Sequence, residues 1–400
     1  MSEKVTEDAS GEQRWAQRLR CSRTEATAAL DEPNFLSPDG APWLVDYALD
    51  PQRGEILRQR LASRPWNLWR YRELLPLARF EERIDLGAGG TPLLSVRRGA
   101  PPGTRAWFKE EGGNPTGSFK ARGLTMAVNR AVELGAPGVE LASAGNAAIA
   151  LTTYAAAAGL PSRIAVPEDT PPVVARRCRE MGAEVLESPG TLVEAGALLA
   201  AHPQGYWGLS TLKEPYRVEG KKTMGLELAE QFGQLLGDAS GHWELPEWIV
   251  YPTGGGTGIV GMHKAFAELE ALGLLPPGRR PRFVVVQMAG CAPLVRAFEA
   301  GAPAAEPWQD AQTEVWGLRV PKAIGDFLVL KALYETDGRA LAVEESRLPE
   351  ITQDLARQEG LRVGPEGAAC WAAVQDLAAE GAFAEGDRIV VFQTGNPDNY

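Results

Sequence analysis

The chain has 400 residues, 44% of them hydrophobic, and its 41 Lys and Arg against 52 Asp and Glu leave a formal net charge of −11. That length is enough for two domains with full cores, and an acidic balance with no long basic run excludes nucleic acid as the expected partner. The start, Met1 to Arg14, is polar and mixed in charge, and no apolar run is long enough for a bilayer, so neither a signal peptide nor a membrane segment is expected.

Cys21, Cys178, Cys291 and Cys370 are too scattered for a metal knuckle and too few for a disulfide scaffold, so they read as reduced cytoplasmic thiols. His202, His242 and His263 fall in no motif, and no metal is expected. In chain order, residues 1–85 read as an N-terminal extension with a helix-like stretch at 53–61 and an aromatic cluster from Trp66 to Tyr71, whose rings suit packing better than ligand binding.

The next informative stretch is Asn114-Pro115-Thr116-Gly117-Ser118-Phe119-Lys120-Ala121-Arg122-Gly123. An Asn-Pro turn and a segment able to cap a helix lead to Lys120 behind Phe119, a position from which the amine leaves water, loses its proton and can form a Schiff base. Taken alone, the same lysine is a solvated first-turn residue. Ala142-Ser143-Ala144-Gly145-Asn146-Ala147-Ala148 then sets small residues at a strand-to-helix junction. N–H groups at a helix start suit a carboxylate, and Asn146 can donate to a phenolic oxygen; an ordinary helix cap is the alternative. From 139 to 209, short apolar runs such as Arg163-Ile164-Ala165-Val166 alternate with helices, as in a small inserted domain.

Farther along, Trp248-Ile249-Val250 reads as a buried strand, followed by Tyr251-Pro252-Thr253-Gly254-Gly255-Gly256-Thr257-Gly258 and apolar residues at helical spacing. Glycines let backbone N–H groups close on a phosphate at a helix N-terminus. The spacing is neither a dinucleotide fingerprint nor a Walker loop, and a flexible connection is the alternative. Residues 283–287 and 388–392 are the clearest buried strands, the second delivering Thr394 to a glycine turn. Trp316 either packs or narrows a pocket, and Glu366 opens a helix, where it either complements the dipole or touches the active site. Motifs at strand-to-helix junctions along the whole chain predict an α/β architecture.

These pieces, in this order, resemble the fold-type II pyridoxal-phosphate enzymes and, within them, the threonine synthase family, from about Cys21 to Tyr400. The resemblance also rests on Leu86-Gly87-Ala88-Gly89-Gly90-Thr91-Pro92-Leu93, on Pro215-Tyr216-Arg217-Val218-Glu219-Gly220-Lys221-Lys222-Thr223 and on Gln287-Met288-Ala289-Gly290-Cys291-Ala292-Pro293. It implies an α/β, two-domain fold with open twisted sheets flanked by helices: a large cofactor domain of residues 86–138 and 210–400, a small domain at 139–209, and the N-terminal extension. That extension carries, around Cys21 and from Pro42 to Tyr47, what looks like a cysteine-rich ribbon without the thiols to hold zinc.

The resemblance further implies that Lys120, behind Phe119, holds pyridoxal 5'-phosphate as a Schiff base. Gly254, Gly255, Gly256, Thr257 and Gly258 would bind its phosphate, Asn146 its ring oxygen, and Thr394 would face its pyridine nitrogen. Ser143, Ala144, Gly145 and Ala147 would hold the carboxylate of an amino-acid substrate, with Arg217 and Glu214 at the rest of it. A neutral hydroxyl at the ring nitrogen makes a mild electron sink, which favours elimination and replacement over transamination. Homodimers are usual among such enzymes.

The chain departs from that family's pattern at Ala121, where an acidic residue is usual; at Ala147, often threonine; at Glu214, usually asparagine; and at Asn396, usually histidine. Two lost donors and an added carboxylate weigh against a phosphate leaving group, because like charges repel strongly in a closed site. Arg217 can still pair with an anion. Three functions stay open: a threonine synthase acting on O-phosphohomoserine, a serine/threonine dehydratase or β-replacement synthase acting on a non-phosphorylated amino acid, and a non-catalytic homologue that binds the cofactor.

Overall fold

The structure is a computed structural model that describes residues 14–236 and 242–399. The polar start, on which no signal peptide is expected, lies outside the described residues up to residue 13. The chain divides into two compact units, Met1–Gly90 with Lys120–Thr223 and Thr91–Phe119 with Met224–Tyr400.

The first unit holds a parallel sheet of four strands in the spatial order Glu184–Ser188, Ser162–Pro167, Val139–Ala142, Trp207–Gly208. Ser162–Pro167 is buried at every position, the pattern of a parallel strand covered on both faces. Helix Asn146–Ala157 packs on this sheet and on helix Lys120–Glu133. That second helix is buried from Ala121 to Ala131, which is why it joins this unit rather than the expected cofactor domain.

A second, antiparallel sheet sets Ala16–Cys21 between Thr27–Ala29 and Trp43–Tyr47. Its Leu19, Trp43 and Val45 share one core with Leu124, Val128 and Ile149. The N-terminal stretch is therefore part of the first unit, and the unit is wider than the 139–209 insertion expected from the sequence.

The second unit is built on six strands in the order Arg339–Val343, Arg282–Met288, Trp248–Pro252, Arg388–Gln393, Arg105–Glu110, Leu93–Val96. All pairs are parallel except the last. Each strand expected at 248–250, 283–287 and 388–392 is present and slightly longer. In such sheets ligands gather beyond the carboxyl ends of the strands, and the glycine loop and Thr394 follow directly on two of these ends. Among the described residues no helix is long and apolar enough to cross a membrane.

Candidate active site

In the second unit, strand Trp248–Pro252 runs into the glycine loop, and helix Thr257–Ala271 starts immediately after it with Gly256 as its left-handed cap at φ 80°. No side chain caps that helix start, so its first N–H groups face the loop and, with the helix dipole, suit an anion. The glycines are required by space. A Cβ on Gly254 would lie 2.6 Å from the Gly317 carbonyl oxygen, one on Gly256 2.3 Å from Val329, and one on Gly258 2.1 Å from the Tyr251 hydroxyl. The loop is braced from Gln287, whose amide donates to the Thr253 carbonyl at 3.0 Å while its oxygen accepts the Leu294 N–H at 2.8 Å. The Gln287 motif thus serves the shape of the loop.

Thr394 is buried at the end of strand Arg388–Gln393, and its carbonyl accepts the Phe119 N–H at 3.0 Å. Asn396 donates its N–H to the Gly117 carbonyl at 2.7 Å, and Asn399 donates its side-chain amide to the same carbonyl at 3.0 Å. The segment before Lys120 is therefore stitched to the segment around Thr394, with Phe119 edge-on to Tyr251 at 6.0 Å. A buried network missed in the sequence fixes the other end of this segment. Thr91 donates its hydroxyl to Glu111 at 2.7 Å, Asn114 donates to Glu111 at 3.0 Å, and Lys109, paired with Glu227, donates to the Thr91 carbonyl at 2.6 Å. Charged residues within a strand and directly after it, here Lys109 and Glu111 in Lys-Glu-Glu, are the signal that marks such a network.

In the first unit, Lys120 opens helix Lys120–Glu133 and is half-buried. Gly145 precedes helix Asn146–Ala157 without a side-chain cap, and Asn146 is its first residue. Of the expected carboxylate loop, the Ser143 N–H is already given to the Ala165 carbonyl at 3.1 Å, because it continues the sheet. The Ser143 hydroxyl and the first-turn N–H groups after Gly145 remain the relevant donors.

Glu214 has a role the sequence did not reveal. Its Oε2 accepts the Tyr216 N–H at 2.7 Å and the Arg217 N–H at 3.1 Å, so the carboxylate caps helix Tyr216–Leu236. Burial pushes its pKa up to about 7 against the lowering pull of Arg217. Arg217 is 1% exposed; its Nη1 donates to the Leu209 carbonyl at 2.7 Å, while Nε and Nη2 are buried with no acceptor among the described residues.

One turn on, Lys221 is also 1% exposed, and its ammonium is disfavoured first by burial and then by the charges of Lys120 and Arg217. The two helices meet through glycine. A Cβ on Gly220 would lie 2.0 Å from the Arg122 carbonyl oxygen, and one on Gly123 would lie 3.3 Å from the Lys221 Cε and 3.4 Å from the Arg217 Cβ. Arg217, Lys221 and Glu214 consequently form one buried cluster, with the half-buried Lys120 acting on Lys221 from the neighbouring helix. Of the positions where the chain departs from the family pattern, Ala121 is wholly buried, Ala147 is buried and Asn396 is half-buried.

A family model described as pyridoxal-phosphate dependent enzyme matches residues 84–395, and the chain belongs to that family. The threonine synthase of Methanosarcina acetivorans is 32% identical over 386 residues, covering 94% of this chain and 91% of that protein. The threonine synthase of Methanocaldococcus jannaschii is 30% identical with the same coverage. Among solved structures, maize serine racemase superimposes with a TM-score of 0.65 at 20% identity, over 88% of this chain and 94% of that one, a likeness of fold.

The residues present fit the family's cofactor. A glycine cradle that a Cβ would fill lies at an uncapped helix start, as a phosphate requires. A lysine, an amide and a buried threonine are available for the aldehyde carbon, ring oxygen and ring nitrogen.

Proposed function

We propose that this protein is a threonine synthase, a cytoplasmic lyase that converts O-phosphohomoserine and water to threonine and phosphate. The observation that carries the choice of substrate is Arg217, buried with two donors lacking acceptors beside Lys221. A phosphate leaving group supplies acceptors for Arg217 and negative charge beside Lys221. The capping role of Glu214 removes the main objection raised by its charge, since an oxygen acceptor is what the helix start needs there.

The chemistry that pyridoxal phosphate supplies when bound is an electron sink for negative charge at the substrate's α-carbon. Lys120 would hold its aldehyde carbon and would carry protons to and from the substrate carbons. Gly254 to Gly258 hold the cofactor phosphate, and Asn146 donates to the ring oxygen. Thr394 presents a neutral hydroxyl to the ring nitrogen, which keeps the sink mild and directs the reaction toward elimination and water addition. The first-turn donors after Gly145 hold the substrate carboxylate, while Arg217 and Lys221 hold the leaving phosphate.

Four free, buried cysteines support a reducing compartment, and the family resemblance supports a homodimer. Incubation of the holoenzyme with O-phosphohomoserine, with phosphate and threonine measured together, tests the activity. Equal amounts of the two are expected; ammonia released from serine or threonine without phosphate turnover would replace this function by a dehydratase.

A further inference from the structure

The aromatic cluster at residues 66–71 has no part in the chemistry above, yet it borders a cavity. In the first unit a cavity of about 150 Å³ is lined by Arg64, Arg70, Arg72 and Arg83 together with Trp69 and Phe80. Arg72 and Arg83 both stack on the Phe80 ring, at 5.0 and 4.1 Å from its centroid.

Two carboxylates adjoin Arg64, Arg72 and Arg83. Glu73 pairs with Arg64 at 2.5 Å, but it also serves Arg60 at 2.8 Å and Arg72 at 3.8 Å. Asp85 stands 3.7 Å from Arg83 and already accepts the Gly87 N–H at 2.9 Å. The cavity is therefore left with an excess of positive charge.

Two of its lining residues also carry unused donors. Trp69 is 3% exposed, yet its Nε1 has no acceptor among the described residues, and neither has the buried Nε of Arg83. Buried donors without acceptors are costly and uncommon, and positive charge in a concave site draws an anion. One oxyanion satisfies both conditions. At roughly 30 Å³ per water, the cavity has about the room of five waters, enough for a phosphate group and well below the space a nucleotide needs.

We propose that this cavity is a binding site for a phosphate group, held by Arg72, Arg83 and the Trp69 N–H. Its neighbourhood gives an occupant something to stabilise. Leu68 donates its N–H to the Ala88 carbonyl at 2.7 Å, and a Cβ on Gly90 would lie 2.0 Å from the Trp66 carbonyl oxygen. The segment that walls the cavity is thus the one on which the Gly89-Gly90 turn rests.

Calorimetric titration of the holoenzyme with inorganic phosphate, at ionic strength fixed with KCl, tests the site. Arg217→Gln is titrated in parallel, because phosphate also suits the leaving-group subsite of the proposed reaction. The expected result is a binding component that Arg217→Gln keeps and that Arg72→Gln/Arg83→Gln weakens at least tenfold while turnover persists. Trp69→Phe, which removes one N–H and no charge, is expected to weaken the same component several-fold, so the test does not depend on the doubly substituted protein folding. Phosphoserine in place of phosphate separates the sources: tighter binding identifies an ester's phosphate group, weaker binding identifies the free ion. Phosphate binding unchanged by all three substitutions, or succinate bound more tightly than phosphate, would overturn the proposal.

Discussion

Arg217→Gln is the substitution whose effect the structure defines most closely. The wild-type side chain is 1% exposed, gives Nη1 to the Leu209 carbonyl, and buries Nε and Nη2 without acceptors among the described residues. If those two donors meet the leaving phosphate, glutamine removes the charge and the fork together. A charge-assisted hydrogen bond contributes about 1.5–3 kcal/mol, so the loss of one lowers kcat/KM by roughly tenfold to 150-fold. The second adds less than its full share, because Lys221 remains and non-additivity is expected in one network. Arg217→Lys keeps the charge but not the fork, and its loss is expected to be smaller. The assay is phosphate release from O-phosphohomoserine, with ammonia release from serine as the control for a substrate without phosphate and thermal unfolding as the control for the fold. A decrease below threefold, or an equal decrease for both substrates, would refute the assignment of Arg217 to the leaving group.

Borohydride reduction of the holoenzyme should fix the pyridoxyl group to a single peptide carrying Lys120, and Lys120→Ala should lose far more than the roughly hundred- to ten-thousandfold typical of removing a proton carrier; an adduct on Lys222 or Lys264 would sink that assignment. Thr394→Asp should shift products toward racemisation or transamination by placing a negative charge at the ring nitrogen, whereas Thr394→Ser should leave product ratios unchanged, as read by chiral chromatography. From about pH 7 to pH 9 the substrate phosphate is already dianionic. Over that range Glu214, raised by burial to about 7, gains negative charge. KM for O-phosphohomoserine should therefore rise with pH, and Glu214→Gln should flatten the rise; a KM independent of pH in the wild type would remove Glu214 from the subsite. Lys109→Met leaves Glu227 buried without its cation and should cost about 3–5 kcal/mol in urea unfolding, while an unchanged midpoint would show that the pair bears no load.

The parts of the site that were legible in the sequence are those whose chemistry prescribes residue type and order. Lys120 behind Phe119, the glycine loop and Thr394 are each recognisable because a Schiff base, a phosphate and a ring nitrogen accept few alternatives, and the loop sits where strand gives way to helix. Lys221 was not legible, because in sequence it is one of two adjacent lysines in a helix, which normally face water. Its burial comes from the crossing at Gly123 and Gly220, where the two helices approach too closely for a Cβ at Gly220 and leave little room for one at Gly123. Glu111, Asn114 and Thr91 lie far enough apart in the chain that only folding reveals them as one network. The unit boundaries were hidden for a related reason: helix Lys120–Glu133 carries the key motif at its start, yet its remaining surface is buried in the unit that also holds the N-terminal sheet.

Glu214 shows why a single substitution is a poor guide to substrate charge. Considered alone, a carboxylate in place of asparagine argues against a phosphorylated substrate. In the folded chain both residue types would fulfil the same local demand, an oxygen that accepts the N–H groups of Tyr216 and Arg217 at the start of a helix. The electrostatic question is then the sum over the cluster. Arg217 and Lys221 follow on the same helix within two turns, and Lys120 acts on Lys221 from the neighbouring helix. Arg217 offsets Glu214 when Glu214 is ionised, and protonation of Glu214, whose pKa burial raises to about 7, leaves the cluster positive. A bound dianion would itself favour the ionised forms of Lys221 and Arg217 and the neutral form of Glu214. The sign of the site is thus set by the substrate it closes around, in the direction that retains phosphate.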